Sequence, residues 1–302
     1  MKPEAATRTG EVSSNRMASR TGPEARRMRH GTALTADRTP LAYQVHGPAA
    51  APPVLLLQGQ ANSHHWWDGI REAFAPEFRT ITFDYRGTGA TPTGETAAGD
   101  WSTSTFASDA AAVLDDLGCQ RLHVYGTSMG GRVAQMLAIE HGERVDRLIL
   151  ACTSPGGPHA RERSQAVRRS LSQADAAARR QALLELMYTP HWFRSPRSGS
   201  NLLGDPGMSV TATRRHLQVS DRHSALDRLH TISAAVLVLH GRDDDMVPAS
   251  NARLIAERIP NARVEIIEGA RHGFFDEFAD EITPRVKAFL QQCSNADRSE
   301  VP

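Results

Sequence analysis

The chain has 302 residues, with 35 Lys and Arg against 34 Asp and Glu and a formal net charge of +1. The charge is uneven: residues 1–30 carry seven Lys or Arg and three Glu, so the remainder is mildly acidic at −3 and gives no reason to expect a nucleic-acid partner. No apolar run approaches the ~18 residues of a membrane span, and Cys119, Cys152 and Cys293 form no paired or CxxC pattern, which points to a reducing, cytoplasmic setting.

Residues 1–27 are rich in Arg, Thr, Ser and Gly, lack apolar periodicity and read as a disordered tail without a secretory h-region. Two strands are expected at Thr32–Thr35 and Leu41–His46, then a third at Val54–Leu57. A helix around Trp67–Ala75 and a strand at Thr80–Asp84 follow. Helix Thr105–Leu117, strand Leu122–Tyr125, helix Met129–His141 and strand Val145–Ala151 come next. The alternation stops at Thr153 and resumes with strand Ala235–Leu239, helix Ser250–Arg258, strand Val264–Ile267 and helix Phe275–Gln291. Alternating β and α with apolar, β-branched strands implies an α/β fold: a mostly parallel eight-stranded sheet with helices on both faces. The core is read as residues 28–153 and 233–293, with 294–302 a C-terminal tail.

Residues 154–232 interrupt that alternation and read as a helical cap, with helices at Arg161–Leu171, Asp175–Tyr188 and Thr211–Ser220. A cap excludes water and shapes a pocket. Its aromatic residues, Trp192 and Phe193 among them, are candidates for substrate contact, as are His64 and His65 ahead of Trp66 and Trp67. Two adjacent histidines do not make a metal site, which needs more ligands at suitable spacing.

The most informative stretch is Gly126-Thr127-Ser128-Met129-Gly130-Gly131, between an apolar strand and a helix former. A serine hydroxyl is a weak nucleophile until a base takes its proton and donors stabilise the oxyanion it creates. A strained turn with glycines on either side lifts Ser128 above the sheet edge, and the helix behind it presents free N–H groups. The motif asks for an acid and then a histidine later in the chain. An acidic loop, Asp243-Asp244-Asp245, directly follows the strand ending at His240. Only His272 lies beyond it, in Gly269-Ala270-Arg271-His272-Gly273. His272 is then the general base, and one of the three aspartates orients it. The oxyanion donors are expected to be the N–H groups of Gln60, after the third strand, and Met129.

These features together resemble the α/β-hydrolase superfamily. The loop Asp84-Tyr85-Arg86-Gly87-Thr88-Gly89 is similar to a structural loop of that family. Gly241, Asp244, Val247 and Pro248 match its acid loop, and this match selects Asp244 among its neighbours. No acid occurs from Cys152 to Pro158, where some members carry it, and Ser128 stands where dehalogenases and epoxide hydrolases need aspartate. One departure is Gln58-Gly59, where the family usually has His-Gly. The elbow and the run from Arg144 to Ser154 look most like 3-oxoadipate enol-lactonase and carboxylesterase types. The resemblance implies a serine hydrolase for a small carboxylic ester or lactone, acting through an acyl-enzyme with Ser128, His272 and Asp244. It implies no cofactor and leaves the oligomeric state open. C–C bond hydrolysis, a lyase or cyclase on the same fold, and a ligand-binding receptor are the alternatives.

Overall fold

The computed structural model describes residues 28–93, 101–195 and 200–292. The expected tails at 1–27 and 294–302 therefore lie outside the described residues, as does Cys293. One sheet of eight strands organises the chain: β1 (Arg29–Leu34), β2 (Pro40–His46), β3 (Pro53–Leu57), β4 (Arg79–Phe83), β5 (Leu122–Thr127), β6 (Val145–Ala151), β7 (Ala235–Gly241) and β8 (Ala262–Ile267). Their spatial order is β1-β2-β4-β3-β5-β6-β7-β8. β2 is antiparallel to β1 and β4, and every other pair is parallel. This is the mostly parallel sheet read from the sequence.

The central strands are covered on both faces, so they carry apolar residues at nearly every position. In β5 the side chains alternate between layers: Val124 joins the core on one face and Tyr125 the core on the other. Helices α1 (Thr103–Asp116) and α2 (Met129–Glu140) fill the first face through Phe106, Val113, Val133 and Leu137. The other face is covered by Trp67, Phe74 and Phe275, with Val286 and Phe289 from a C-terminal helix. Edge strand β8 is only partly buried, as expected where no further strand shields it.

Between β6 and β7 the chain makes α3 (Gln165–Leu171), α4 (Ala176–Met187) and α5 (Val210–Asp221). The expected start of the first at Arg161 is not reached. Arg161 instead exchanges hydrogen bonds with the Asn251 side chain, its N–H donating to Oδ1 and its carbonyl accepting from Nδ2, both at 2.9 Å. The helix begins only after Ser164, whose Oγ caps it by accepting from Val167 N–H at 3.2 Å.

Two other expected helices also differ. Trp67–Ala75 is not an α-helix but two 3₁₀ segments, His64–Trp67 and Arg71–Phe74, separated by Ile70 at φ −121°. Its hydrogen bonds close tight turns, such as Trp66 N to Ser63 O and Ala73 N to Ile70 O. That tighter path buries the neighbouring Trp66 and Trp67 together with Ile70 and Phe74. Past β8 the expected Phe275–Gln291 helix is divided into α7 (Phe274–Glu277) and α8 (Ala279–Leu290), because Phe278 leaves the helical region at φ −107°, ψ 34°. The sixth helix, α6 (Ser250–Ala256), lies between β7 and β8. Among the described residues, no helix is long and apolar enough to cross a membrane.

Candidate active site

The sharp turn between β5 and α2 carries Ser128 at φ 54°, ψ −120°, a conformation that L-residues adopt rarely and at a cost. Two neighbouring contacts hold it. Ser128 N–H donates to Ala151 O at 2.9 Å, and Ser128 O accepts from Thr153 Oγ1 at 2.7 Å. Ser128 occupies the N-cap of α2, yet its side chain makes no capping bond, so Oγ is left for other partners. The turn also needs its glycines. A Cβ on Gly130 would stand 2.1 Å from Leu57 O, and one on Gly126 would stand 2.4 Å from Gly130 O.

The loops after β7 and β8 bring the other two side chains to this serine. His272 Nε2 lies 3.0 Å from Ser128 Oγ, and its Nδ1 lies 2.8 Å from Asp244 Oδ2. With Asp244 ionised, Nδ1–H donates to the carboxylate and Nε2 is free to accept the Ser128 proton. Asp244 is 3 % exposed, while Asp243 and Asp245 are exposed. Burial alone would push the Asp244 carboxyl up. The imidazoles of His272 and His240 beside it outweigh that and hold it well below the usual carboxylate range. Its other oxygen accepts Val247 N–H at 2.8 Å, which fixes the rotamer.

His240 was not singled out by the sequence. It ends β7, is fully buried, and its Nε2–H is shared between Val247 O at 2.8 Å and Asp244 Oδ2 at 3.2 Å. Its spacing, four residues before the acid on one strand-to-loop turn, is the only sequence cue to this contact. Cys152 is a second such neighbour. It adopts φ 44°, its N–H donates to Leu239 O at 3.0 Å, and burial followed by the nearby Asp244 charge pushes its thiol well above the usual range.

The two backbone groups named as oxyanion donors lie at the start of α2 and in the loop after β3. Among the described residues no protein acceptor takes the N–H of Gln60 or Met129. Gln58, where the family usually has histidine, is fully buried and donates through Nε2 to Phe83 O at 2.8 Å. Its carbonyl accepts from Tyr85 OH at 3.3 Å, so the residue ties the loop to β4 and the segment after it.

The named substrate-contact residues are occupied differently. His64 is bound to Asp84, with both its N–H and its Nδ1 at 2.8 Å from Oδ1. The second carboxylate oxygen accepts Ala90 N–H at 3.0 Å, and Gly89 leaves room for it at φ 52°. Burial raises the Asp84 pKa, and the His64 and backbone bonds more than offset that and lower it. His65 points to the surface, 63 % exposed at the side chain, and pairs with Asp68 at 2.6 Å. Trp192 is buried and stacked on Tyr188 with centroids 4.1 Å apart, whereas Phe193 is 41 % exposed. Among the described residues no group of three or more His, Cys, Asp or Glu side chains is placed to hold a metal ion.

Comparison with known proteins agrees with this architecture. The protein named "Putative carbamate hydrolase RutD" from Caulobacter sp. (strain K31) is 30% identical over 259 residues, covering 83% of this chain and 95% of that one. A hydrolase from Pseudomonas aeruginosa PA01 superposes with a TM-score of 0.73 at 26% identity, over 87% of this chain and 99% of that one. The enol-lactonase from Burkholderia xenovorans LB400 matches with a TM-score of 0.73 at 23% identity, over 87% and 100% of the two chains, a likeness of fold. The family model described as alpha/beta hydrolase fold matches residues 52–279. With that match spanning strands β3 to β8, the serine turn and the loops that carry Asp244 and His272, the chain belongs to the α/β-hydrolase family of enzymes.

Proposed function

We propose that this hydrolase cleaves a small carboxylic ester or lactone through a covalent acyl-enzyme. The observation that supports the reading most is the continuous relay from Ser128 Oγ through His272 to the buried Asp244. Ser128 Oγ attacks the substrate carbonyl while its proton passes to His272 Nε2. The tetrahedral oxyanion is held by the N–H groups of Gln60 and Met129, each worth roughly 3 kcal/mol in the transition state. The intermediate collapses with transfer of the His272 proton to the leaving alkoxide, which departs as the alcohol of an ester or stays tethered as the hydroxyl of an opened lactone. Water then attacks the acyl group, giving its proton to His272, and the acid is released with Ser128 restored. Asp244 stays ionised and stabilises the imidazolium in both halves.

In this reading the segment at 154–232 is a cap that covers Ser128, and the enzyme works on a small molecule in a reducing, cytoplasmic compartment. The likeness to RutD supports a second substrate class, a carbamate, whose carbonyl would be attacked by the same serine.

The test is labelling with a fluorophosphonate, read by intact mass and peptide mapping, followed by turnover of matched ester, lactone and carbamate panels. A single adduct on Ser128 that is lost in His272→Ala is the expected result. Near-wild-type turnover by Ser128→Ala would overturn the mechanism.

A further inference from the structure

The Gln60–Ala61 peptide is pinned at both ends. Its carbonyl, Gln60 O, accepts from Asn62 Nδ2 at 2.7 Å. Its N–H, that of Ala61, donates to Nδ1 of His216 at 3.3 Å. The next carbonyl, Ala61 O, accepts Asp205 N–H at 2.8 Å, and Asn62 Oδ1 accepts Gly204 N–H at 2.9 Å. Three of these four bonds come from the segment between β6 and β7. Ala61 sits at φ 56°, left-handed without being glycine, a conformation that surrounding contacts must maintain.

His216 is held rigidly on its side of this bond. It lies on α5, fully buried, with rings of Phe106, Trp101 and Tyr85 at 5.2, 5.7 and 6.1 Å. Nε2–H donates to Arg86 O at 2.9 Å, which leaves Nδ1 as the acceptor for Ala61 N–H. The partners thus dictate a neutral ring with a single tautomer. Burial agrees, pulling its pKa down to about 4.

We propose that His216 and Asn62 are positioning residues for the oxyanion donor Gln60, so that the inserted segment is a working part of the catalytic apparatus. The inference rests on the serine-hydrolase reading above. Fixing the Gln60–Ala61 peptide anchors the Gln60 Cα from its C-terminal side, one link from the Gly59–Gln60 peptide that carries the Gln60 N–H, and so limits how far that N–H can swing. Such a donor acts only when its direction is set before the charge develops. Neither side chain touches substrate in this scheme.

The experiment compares His216→Asn with His216→Gln on an aryl ester that the wild type hydrolyses. The asparagine oxygen replaces Nδ1 and keeps the Ala61 bond while losing that to Arg86. The glutamine amide replaces Nε2 and does the reverse. Each variant loses one buried hydrogen bond, so a merely structural role would lower melting temperature and kcat alike in both. The expected result is kcat about tenfold lower in His216→Gln with KM within about twofold, and kcat within about threefold of wild type in His216→Asn. Binding of a trifluoromethyl ketone should weaken in parallel with kcat/KM only in His216→Gln. Asn62→Asp, which keeps the oxygen for Gly204 N–H and removes the donor to Gln60 O, provides a variant outside α5 and should also lose about tenfold in kcat. Equal kcat in the two His216 variants at matched folded fraction, or wild-type kcat in Asn62→Asp, would overturn the clamp alone. Failure of the wild type to label at Ser128 would overturn the serine reading and the clamp with it.

Discussion

His240 Nε2 stands 3.2 Å from Oδ2 of Asp244, the same oxygen that His272 Nδ1 approaches at 2.8 Å. One carboxylate oxygen therefore faces two imidazoles, and its partner oxygen is taken by Val247 N–H. The acid is held from three directions, and none of the three bonds depends on solvent. A rotamer this constrained keeps the His272 ring in one plane through the two proton transfers proposed for it.

Replacing His240 by Phe is expected to cost about 1–3 kcal/mol of folding stability, because Val247 O loses its buried donor. The acid loop then relaxes, and kcat/KM should fall roughly tenfold with fluorophosphonate labelling of Ser128 slowed in proportion. Thermal unfolding and labelling rates measured on one preparation check both parts. A variant that loses stability but labels at the wild-type rate would confine His240 to packing.

Stability should decline on mild acidification. His216 titrates near 4 in the folded chain, against about 6.5 when unfolded. Between those values the unfolded chain binds a proton that the native chain does not, so folding free energy falls as pH drops from about 6.5 to about 4, by about 3 kcal/mol for this residue. His223 acts in the same direction, since burial and then the Arg132 charge hold it well below its ordinary value. Denaturant midpoints at pH 7, 6 and 5 should fall steadily. Midpoints that do not change would mean these rings are charged or solvated.

The serine turn should not tolerate Gly130→Ala. The added methyl would meet the backbone oxygen of Leu57 at 2.1 Å, and Gln58 O at 2.6 Å, neither of which can swing aside. A loss of more than about 3 kcal/mol, or failure to accumulate folded protein, is the expected outcome. Gly118→Ala is a matched control for added volume, because nothing lies within 4 Å of its Cβ position, although φ +60 there carries its own modest strain.

Trp192 and Phe193 are neighbours with different expected behaviour. Trp192 is 8 % exposed and stacks on Tyr188, whose hydroxyl donates to Asp276 Oδ2 at 2.7 Å. Trp192→Ala should therefore lower stability by about 3 kcal/mol or more. Phe193 is 41 % exposed, so Phe193→Ala should leave melting temperature nearly unchanged. If Phe193 meets substrate, as its sequence context suggested, KM for long-chain aryl esters should rise severalfold, and an unchanged KM would remove it from the substrate path.

The strands and the serine turn were readable because their causes are local. Continuous apolar runs give doubly covered strands, and glycines around Ser128 mark a turn that only they can make. Asp244 lies just beyond such a strand, β7, whereas His272 follows the half-buried edge strand β8 and is marked instead by being the one histidine after the acidic loop. The bond of His64 to Asp84 is not legible in the sequence, because the two lie 20 residues apart and only folding brings them together. His216 gave no signal at all among thirteen histidines, since its meaning depends on Ala61, 155 residues distant in sequence. The short 3₁₀ segments are not legible in the sequence, because apolar spacing alone does not distinguish a wide helix from a tight one when Trp66 and Trp67 must both be buried.

The segment between β6 and β7 is fastened at once to the loop that carries His272 and to the loop around Ala61. Its α4 carbonyls, Leu186 O and Met187 O, accept from His272 N–H at 3.3 Å and Gly273 N–H at 2.8 Å, while Gly204, Asp205 and His216 grip the loop around Ala61. A chimaera that exchanged this segment for that of another family member would thus replace the supports of both loops, which the proposed mechanism assigns to the base and to the oxyanion. Under the proposed mechanism the insertion is therefore not a cassette: a change in its helices is transmitted to the loops beside Ser128 through the same hydrogen bonds.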